Sequence, residues 1–156
     1  MSRPVALLVL LLITVSWSAA IAAAPRPLAP TMSALTYAAG SFICHQRSER
    51  SFHHEGAQYP VCARCLGLYA GAVGGVLLWT AVSGLGRTAR AGTARLTHPI
   101  LVRRILIIAA LPTVATVVFS WSGWWDAGNL VRAAGAVPLG ATIAAVIAAV
   151  AARDLR

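Results

Sequence analysis

Four stretches of this chain are nearly free of polar side chains, and almost all of the charge lies between them. They cover residues 4–24, 66–83, 105–121 and 133–152. Each approaches the roughly 20 residues that a helix needs to cross a hydrocarbon core of about 30 Å. A segment in lipid must satisfy its own backbone hydrogen bonds, and a helix does so. The pattern therefore predicts an all-α integral membrane protein, with four transmembrane helices in one compact bundle. The first stretch also has the marks of a secretory signal peptide, with Arg3 before it and Ala20-Ile21-Ala22 as a small-residue cleavage site. Cleavage would leave three spans; the length of the run favours retention as a fourth.

Small residues recur inside these runs at helical spacing. Gly67, Gly71 and Gly75 fall at i, i+4 and i+8, on one face of the second helix. The fourth run repeats alanine at 141, 145, 149 and at 144, 148, 152. Such stripes let neighbouring backbones approach closely in lipid, so both are expected to be packing faces. Pro112 predicts a kink in the third helix, and Trp121, Trp124 and Trp125 at its end predict an interfacial aromatic belt. Ahead of the second run, Met32, Leu35, Tyr37, Phe42 and Ile43 are spaced for a short interfacial helix. No repeat or second domain is evident, and 1–156 reads as a single membrane domain.

Composition agrees with lipid as the solvent: 58% of the 156 residues are hydrophobic and 11% charged, and mean hydropathy is +0.74. A soluble domain of this length could not bury so much apolar surface. The net charge of +9 comes from arginines alone, spread between the apolar runs rather than gathered on a polar domain, so no nucleic-acid partner is expected. Their distribution is topogenic instead. With the amino terminus inside, Arg3, Arg87, Arg90, Arg95, Arg103, Arg104, Arg153 and Arg156 are cytoplasmic, while Arg26, Arg47, Arg50, Arg64 and Arg132 are outside. The excess lies inside, as positive-inside topology requires. The expectation is a multi-pass protein of the cell membrane with both termini cytoplasmic, an Arg-rich cytoplasmic loop at 84–104 and an extracytoplasmic loop at 25–65.

That outer loop changes the picture from scaffold to chemistry. It holds all three cysteines, Cys44, Cys62 and Cys65, and three of the four histidines, His45, His53 and His54. Cys62 and Cys65 stand three apart where the second helix should begin, so both thiols share one turn. A helix amino terminus and the adjacent Arg64 should both favour thiolate. Thiolates serve two chemistries. With Cys44 and one histidine they complete a Cys3His zinc set. In an oxidising compartment, Cys62 and Cys65 instead form a redox pair able to pass electrons to quinone. A third possibility is a structural disulfide in a non-catalytic subunit with a membrane-protein partner or a second copy of itself. His45 can join Cys44 only if the chain turns there; otherwise His53 or His54 is better placed. His98 is read as a turn residue.

A second polar cluster, Asp126, Asn129 and Arg132, falls on the same side of the membrane at the mouth of the fourth helix. With Arg50 it offers candidates for a supporting shell. Nothing in the chain matches a phosphate-binding loop, a dinucleotide fingerprint, a zinc-protease helix or a serine nucleophile elbow.

Taken together, Tyr37, Phe42-Ile43-Cys44-His45-Gln46, Arg50-Ser51-Phe52, Pro60-Val61-Cys62-Ala63-Arg64-Cys65, Gly67, Tyr69 and Gly71 resemble a family of small prokaryotic membrane proteins, domain of unknown function 2085. Asn129, Arg132 and Gly135 resemble its closing element. The chain differs in having Leu66 where threonine is usual, and its polar element around Asp126 is weaker. The resemblance implies a multi-helix membrane fold with Cys44, His45, Cys62 and Cys65 as the site positions, and it implies no activity.

Overall fold

The computed structural model describes residues 3–26, 30–84 and 99–151. Arg87, Arg90, Arg95, His98, Arg153 and Arg156 lie outside the described residues. Helix α1 covers Arg3–Ala23 and α2 Pro30–Ile43; a one-turn 3-10 helix at Ser48–Arg50 leads into strands β1 (Ser51–His54) and β2 (Ala57–Cys62). Helices α3 (Ala63–Gly84), α4 (Pro99–Trp121) and α5 (Asn129–Ala151) complete the chain. Helices α1, α3, α4 and α5 are each long and apolar enough to cross a membrane, and they pack together as an all-α bundle.

Two of these helices start at least four residues ahead of their apolar runs. Helix α4 begins at Pro99, where the missing amide hydrogen costs nothing in a first turn, and carries Arg103 and Arg104 as helical residues. Helix α5 begins at Asn129 and takes Arg132 into its first turn. Hydropathy marks where a helix enters lipid, whereas the helix itself continues into the interface on polar residues.

The bundle is organised around the contact of α3 with α5. A Cβ placed on Gly67, Gly71 or Gly75 would fall on the backbone of Ala133, Val137 or Ala141 respectively. From the other side, a Cβ on Gly140 would meet the carbonyl of Leu68. Only glycine permits that approach, and the stripe read from the sequence is this interface. Helix α4 joins α5 through the Thr113 hydroxyl, which donates to the Gly135 carbonyl at 2.9 Å. Helix α1 lies on α3, with the Trp17 and Tyr69 rings edge to face at 6.0 Å. The outward faces of α1, α4 and α5, with Leu12, Ile108, Leu111 and Ile147 among them, are exposed and apolar, as lipid-facing surfaces are.

The segment expected as an outer loop is more ordered than its composition implied. Helix α2 fills the position expected of an interfacial helix, and 51–62 form a two-stranded antiparallel hairpin. The hairpin pairs Ser51 with Cys62 and His53 with Gln58, with an irregularity between Ser51 and His53. Its turn uses Glu55 and Gly56, both at positive φ, as tight two-residue hairpins require. Together, α2 and the hairpin cap the end of the bundle where α3 starts.

Candidate metal centre

Three elements deliver the cysteines. Cys44 follows the last turn of α2, where its amide still donates to the Gly40 carbonyl at 2.9 Å. Cys62 ends β2, and Cys65 lies in the first turn of α3. Cys44 and Cys62 are buried, Cys65 is half-buried, and no two of the three are bonded to each other. The Cys62 amide donates to the Cys44 sulfur at 3.1 Å, so strand and helix end are joined at the sulfurs themselves.

His45 reaches this group because the chain turns sharply after α2. Gln46 adopts a left-handed backbone, φ 45°. It is held there by its own side chain, whose amide donates to the carbonyls of Tyr37 at 2.9 Å and Pro60 at 2.7 Å. The turn brings His45 Nδ1 to 3.8 Å from the Cys44 sulfur. One ligand atom each from Cys44, His45 and Cys62 then lie within 4.8 Å of one another, close enough to hold a metal ion. Cys65 is outside that trio, but its thiol lies near enough to the Cys62 and Cys44 sulfurs to interact with both. His53 is turned away, with Nε2 at 3.1 Å from the Ser48 hydroxyl.

Cys62 occupies the N-cap position of α3, where a side-chain acceptor can take the free amides of the first turn. Its pKa is lowered to about 5, chiefly by the hydrogen bond from the Cys65 thiol, with the Cys65 and Arg64 amides and the Cys44 thiol adding to it. The Arg64 charge also favours this thiolate, since the guanidinium and the Cys62 sulfur attract each other. The Arg64 guanidinium is anchored on α4, with Nη2 donating to the Thr116 carbonyl at 3.1 Å and Nε to the Thr116 hydroxyl at 3.4 Å. The cap amides and neighbouring thiol add the larger share.

The second polar cluster meets the first through the hairpin. Asn129 donates from Nδ2 to the Ser51 carbonyl at 2.9 Å, and Ser51 is the residue paired with Cys62. Arg132 is almost fully buried at 3% exposure, yet it donates to Asn129 Oδ1 at 3.0 Å and to the exposed Asp126 carboxylate. That hydrogen bond from Arg132 is the main reason the Asp126 carboxyl is held below its usual pKa. Arg50 lies close enough to Arg64 and Asp126 to act on both electrostatically.

Residues 44–146, which span the sulfurs, the hairpin and the α3–α5 contact, match the family described as predicted membrane protein (DUF2085). The chain belongs to that family. This DUF2085 protein is also similar to two archaeal proteins. It is 44% identical over 48 residues to uncharacterized protein MJ1492 of Methanocaldococcus jannaschii, covering 31% of each chain. It is 52% identical over 31 residues to an uncharacterized protein of Methanothermobacter thermautotrophicus, covering 20% of this chain and 28% of that one. The matches thus span under a third of those relatives' lengths. No solved structure matches.

Two positions that shape the candidate site escaped the sequence reading. Gln46 forms the turn that carries His45, and Ser51 links the hairpin to α5 and also bonds the Arg47 carbonyl at 2.9 Å. The cue was present in the Cys44-His45-Gln46 and Arg50-Ser51-Phe52 elements, but composition alone gives a loop glutamine or serine no distinction.

Proposed function

We propose that this DUF2085 protein carries an extracytoplasmic metal centre, with zinc as its ion, held by Cys44, Cys62, Cys65 and His45. The observation that carries this reading is the convergence of three ligand atoms, from Cys44, His45 and Cys62, within 4.8 Å, with Cys65 in the adjoining first turn of α3. Tetrahedral zinc with bonds of about 2.3 Å to sulfur keeps its sulfurs about 3.8 Å apart, a modest contraction from that spacing. Three soft thiolates and one imidazole suit a four-coordinate d10 ion better than a hard, oxygen-seeking one. The pre-ionised Cys62 lowers the proton cost of binding, since ligand thiols must be deprotonated. The arginine distribution supports placing the site outside. Elemental analysis of protein purified under reducing conditions should find about one zinc per chain, and Cys62→Ser should lose it. Cobalt substitution should give sulfur-to-metal charge-transfer bands. Absence of stoichiometric metal from the reduced wild-type protein sinks the reading.

The Cys62 thiolate beside the Cys65 thiol also favours a second reading, a thiol oxidase that delivers electrons to a membrane quinone. A substrate thiolate would attack the sulfur of Cys62 in a Cys62–Cys65 disulfide, and Cys65 would leave as thiolate. A second substrate thiolate would then displace Cys62, closing the substrate disulfide. The reduced pair would pass two electrons and two protons to quinone, giving quinol. Cys65→Ser should accumulate a mixed disulfide on Cys62 if this reading holds, and metal-blocked, unreactive thiols argue against it.

A further inference from the structure

Beside the sulfurs the surface opens into a pocket of about 550 Å³. It is lined by the four candidate ligands, by Arg64, and by Ser41, Phe42 and Ile43, whose two apolar side chains are exposed and serve as its lip. Three observations define what fits there. First, Arg64 spends Nε and Nη2 on Thr116, which fixes its planar fork and leaves Nη1 without a partner among the described residues. Second, the guanidinium sits in the field of Arg50 and Arg132, opposed by the Cys62 thiolate and by Asp126, so with a cation on the thiolate the pocket side of Arg64 attracts an anion.

The third observation is depth. Phe42 is 89% exposed, Trp121 91% and Trp124 83%. All three belong to the same end of the bundle, because Asn129, just beyond the tryptophans, is bonded to Ser51 of the hairpin. Bare aromatic rings ringing one end of a membrane bundle sit at the level of the lipid headgroups. The pocket therefore opens where phosphate oxygens are dense and acyl chains begin, with an apolar lip facing the chains and a free guanidinium donor behind it.

We propose that this pocket binds the headgroup of an anionic phospholipid, whose phosphate oxygen accepts a hydrogen bond from Arg64 Nη1 while its acyl chain lies over Phe42 and Ile43. This rests on the metal reading in one respect, since a bound divalent ion offsets two of the three thiolate charges that would otherwise repel a phosphate. Arginine recognises phosphate through charge-assisted hydrogen bonds, and a guanidinium already clamped on one side loses little freedom on making one more.

Native mass spectrometry of the full chain in detergent, titrated with phosphatidylglycerol, phosphatidylcholine or inorganic phosphate, tests the proposal. One phosphatidylglycerol should be retained at about tenfold lower concentration than phosphatidylcholine, the scale of one charge-assisted contact. Inorganic phosphate should not be retained in that range. Arg64→Gln should abolish the preference, and so should Ile43→Glu, which puts a negative charge on the lip and leaves the Thr116 clamp intact. Equal retention of the two lipids, a preference that survives in Ile43→Glu, or equally tight retention of inorganic phosphate overturns the lipid site. Metal and lipid add different masses to the same ion. A chain that carries its metal but discriminates neither lipid overturns this proposal alone, and a chain without metal overturns the reading beneath it.

Discussion

Gln46 holds its left-handed backbone at the point where α2 gives way to the hairpin, and both hydrogens of its amide are spent on the carbonyls of Tyr37 and Pro60. The Gln58 amide adds to the clasp by donating to the Gln46 carbonyl at 2.6 Å. Gln46→Glu keeps the shape but removes both donations and sets a carboxylate against two carbonyl oxygens. Leaving such buried acceptors unpaired costs about 1–3 kcal/mol. We therefore expect a lower melting temperature in detergent and, because the same turn presents His45, weaker retention of metal than in wild type. Asp126 gives the pH-dependent case at this scale. Its carboxyl titrates near 3.8 when unfolded and lower when bonded to Arg132 in the folded chain. The pair therefore stabilises the fold at any pH above the unfolded value and loses that contribution as the pH falls through the folded one. The melting gap between wild type and Asp126→Asn should hold steady from roughly pH 8 to 5 and close below about pH 4. The cysteines and His45 were legible in the sequence because such residues are scarce in an apolar chain. Gln46 was not, because its partner carbonyl on Pro60 is fourteen residues away and only the folded turn brings the two together.

At the level of elements, the α3–α5 contact makes its own contrast within one helix. A Cβ on Gly71 would fall on the carbonyl of Val137, whereas a Cβ on Gly74 would meet nothing within 4 Å. Gly71→Ala has backbone on both sides and no flexible side chain to yield, so the helices must separate. We expect a loss of at least about 2–3 kcal/mol, toward the upper range for overpacking, together with loosened contacts along the stripe. Gly74→Ala, on an open face, should be neutral or slightly stabilising, since alanine is the better helix former. Thermal unfolding of the two variants in the same detergent checks the contrast, and equal behaviour would refute the close-approach account. The glycine stripe could be read in advance because its spacing is set by the helix itself. The hairpin could not, because its stability comes from partners distant in sequence: Asn129 on the Ser51 carbonyl and the Tyr37 hydroxyl on that of Gln58. Cross-chain support of that kind leaves no periodicity. Similarly, Ile21 of α1 is fully buried against Cys44, Val61 and Cys62, a contact that a hydropathy plot cannot show.

For the whole molecule, the question is which way the bundle faces, and two independent features bear on it. Exposed Trp121 and Trp124 mark the site-bearing end as one membrane interface, without saying which. The arginines supply the sign, because positive charge near the ends of spans is retained in the cytoplasm. Arg103 and Arg104 sit near the start of α4, at the end of that helix opposite Trp121, so the charge rule predicts the tryptophan end outside. The sequence alone supplies an expectation of orientation because insertion reads local charge, not the folded site. For the same reason it can be measured without an intact site. In a chain whose three native cysteines are replaced by alanine, Glu49→Cys would put one exposed thiol beside the hairpin, and Arg104→Cys would put one at the far end of α4. A membrane-impermeant maleimide applied to intact cells should label Glu49→Cys and leave Arg104→Cys unlabelled until the cells are lysed. The reverse pattern would invert the bundle and move the metal centre, its lipid pocket and any quinone-linked thiol chemistry to the cytoplasmic face, where a reducing environment disfavours disulfide exchange but still permits zinc. Sidedness therefore weighs the two readings of the Cys62–Cys65 pair differently: an outside result leaves both open, and an inside result leaves the metal centre as the stronger of the two.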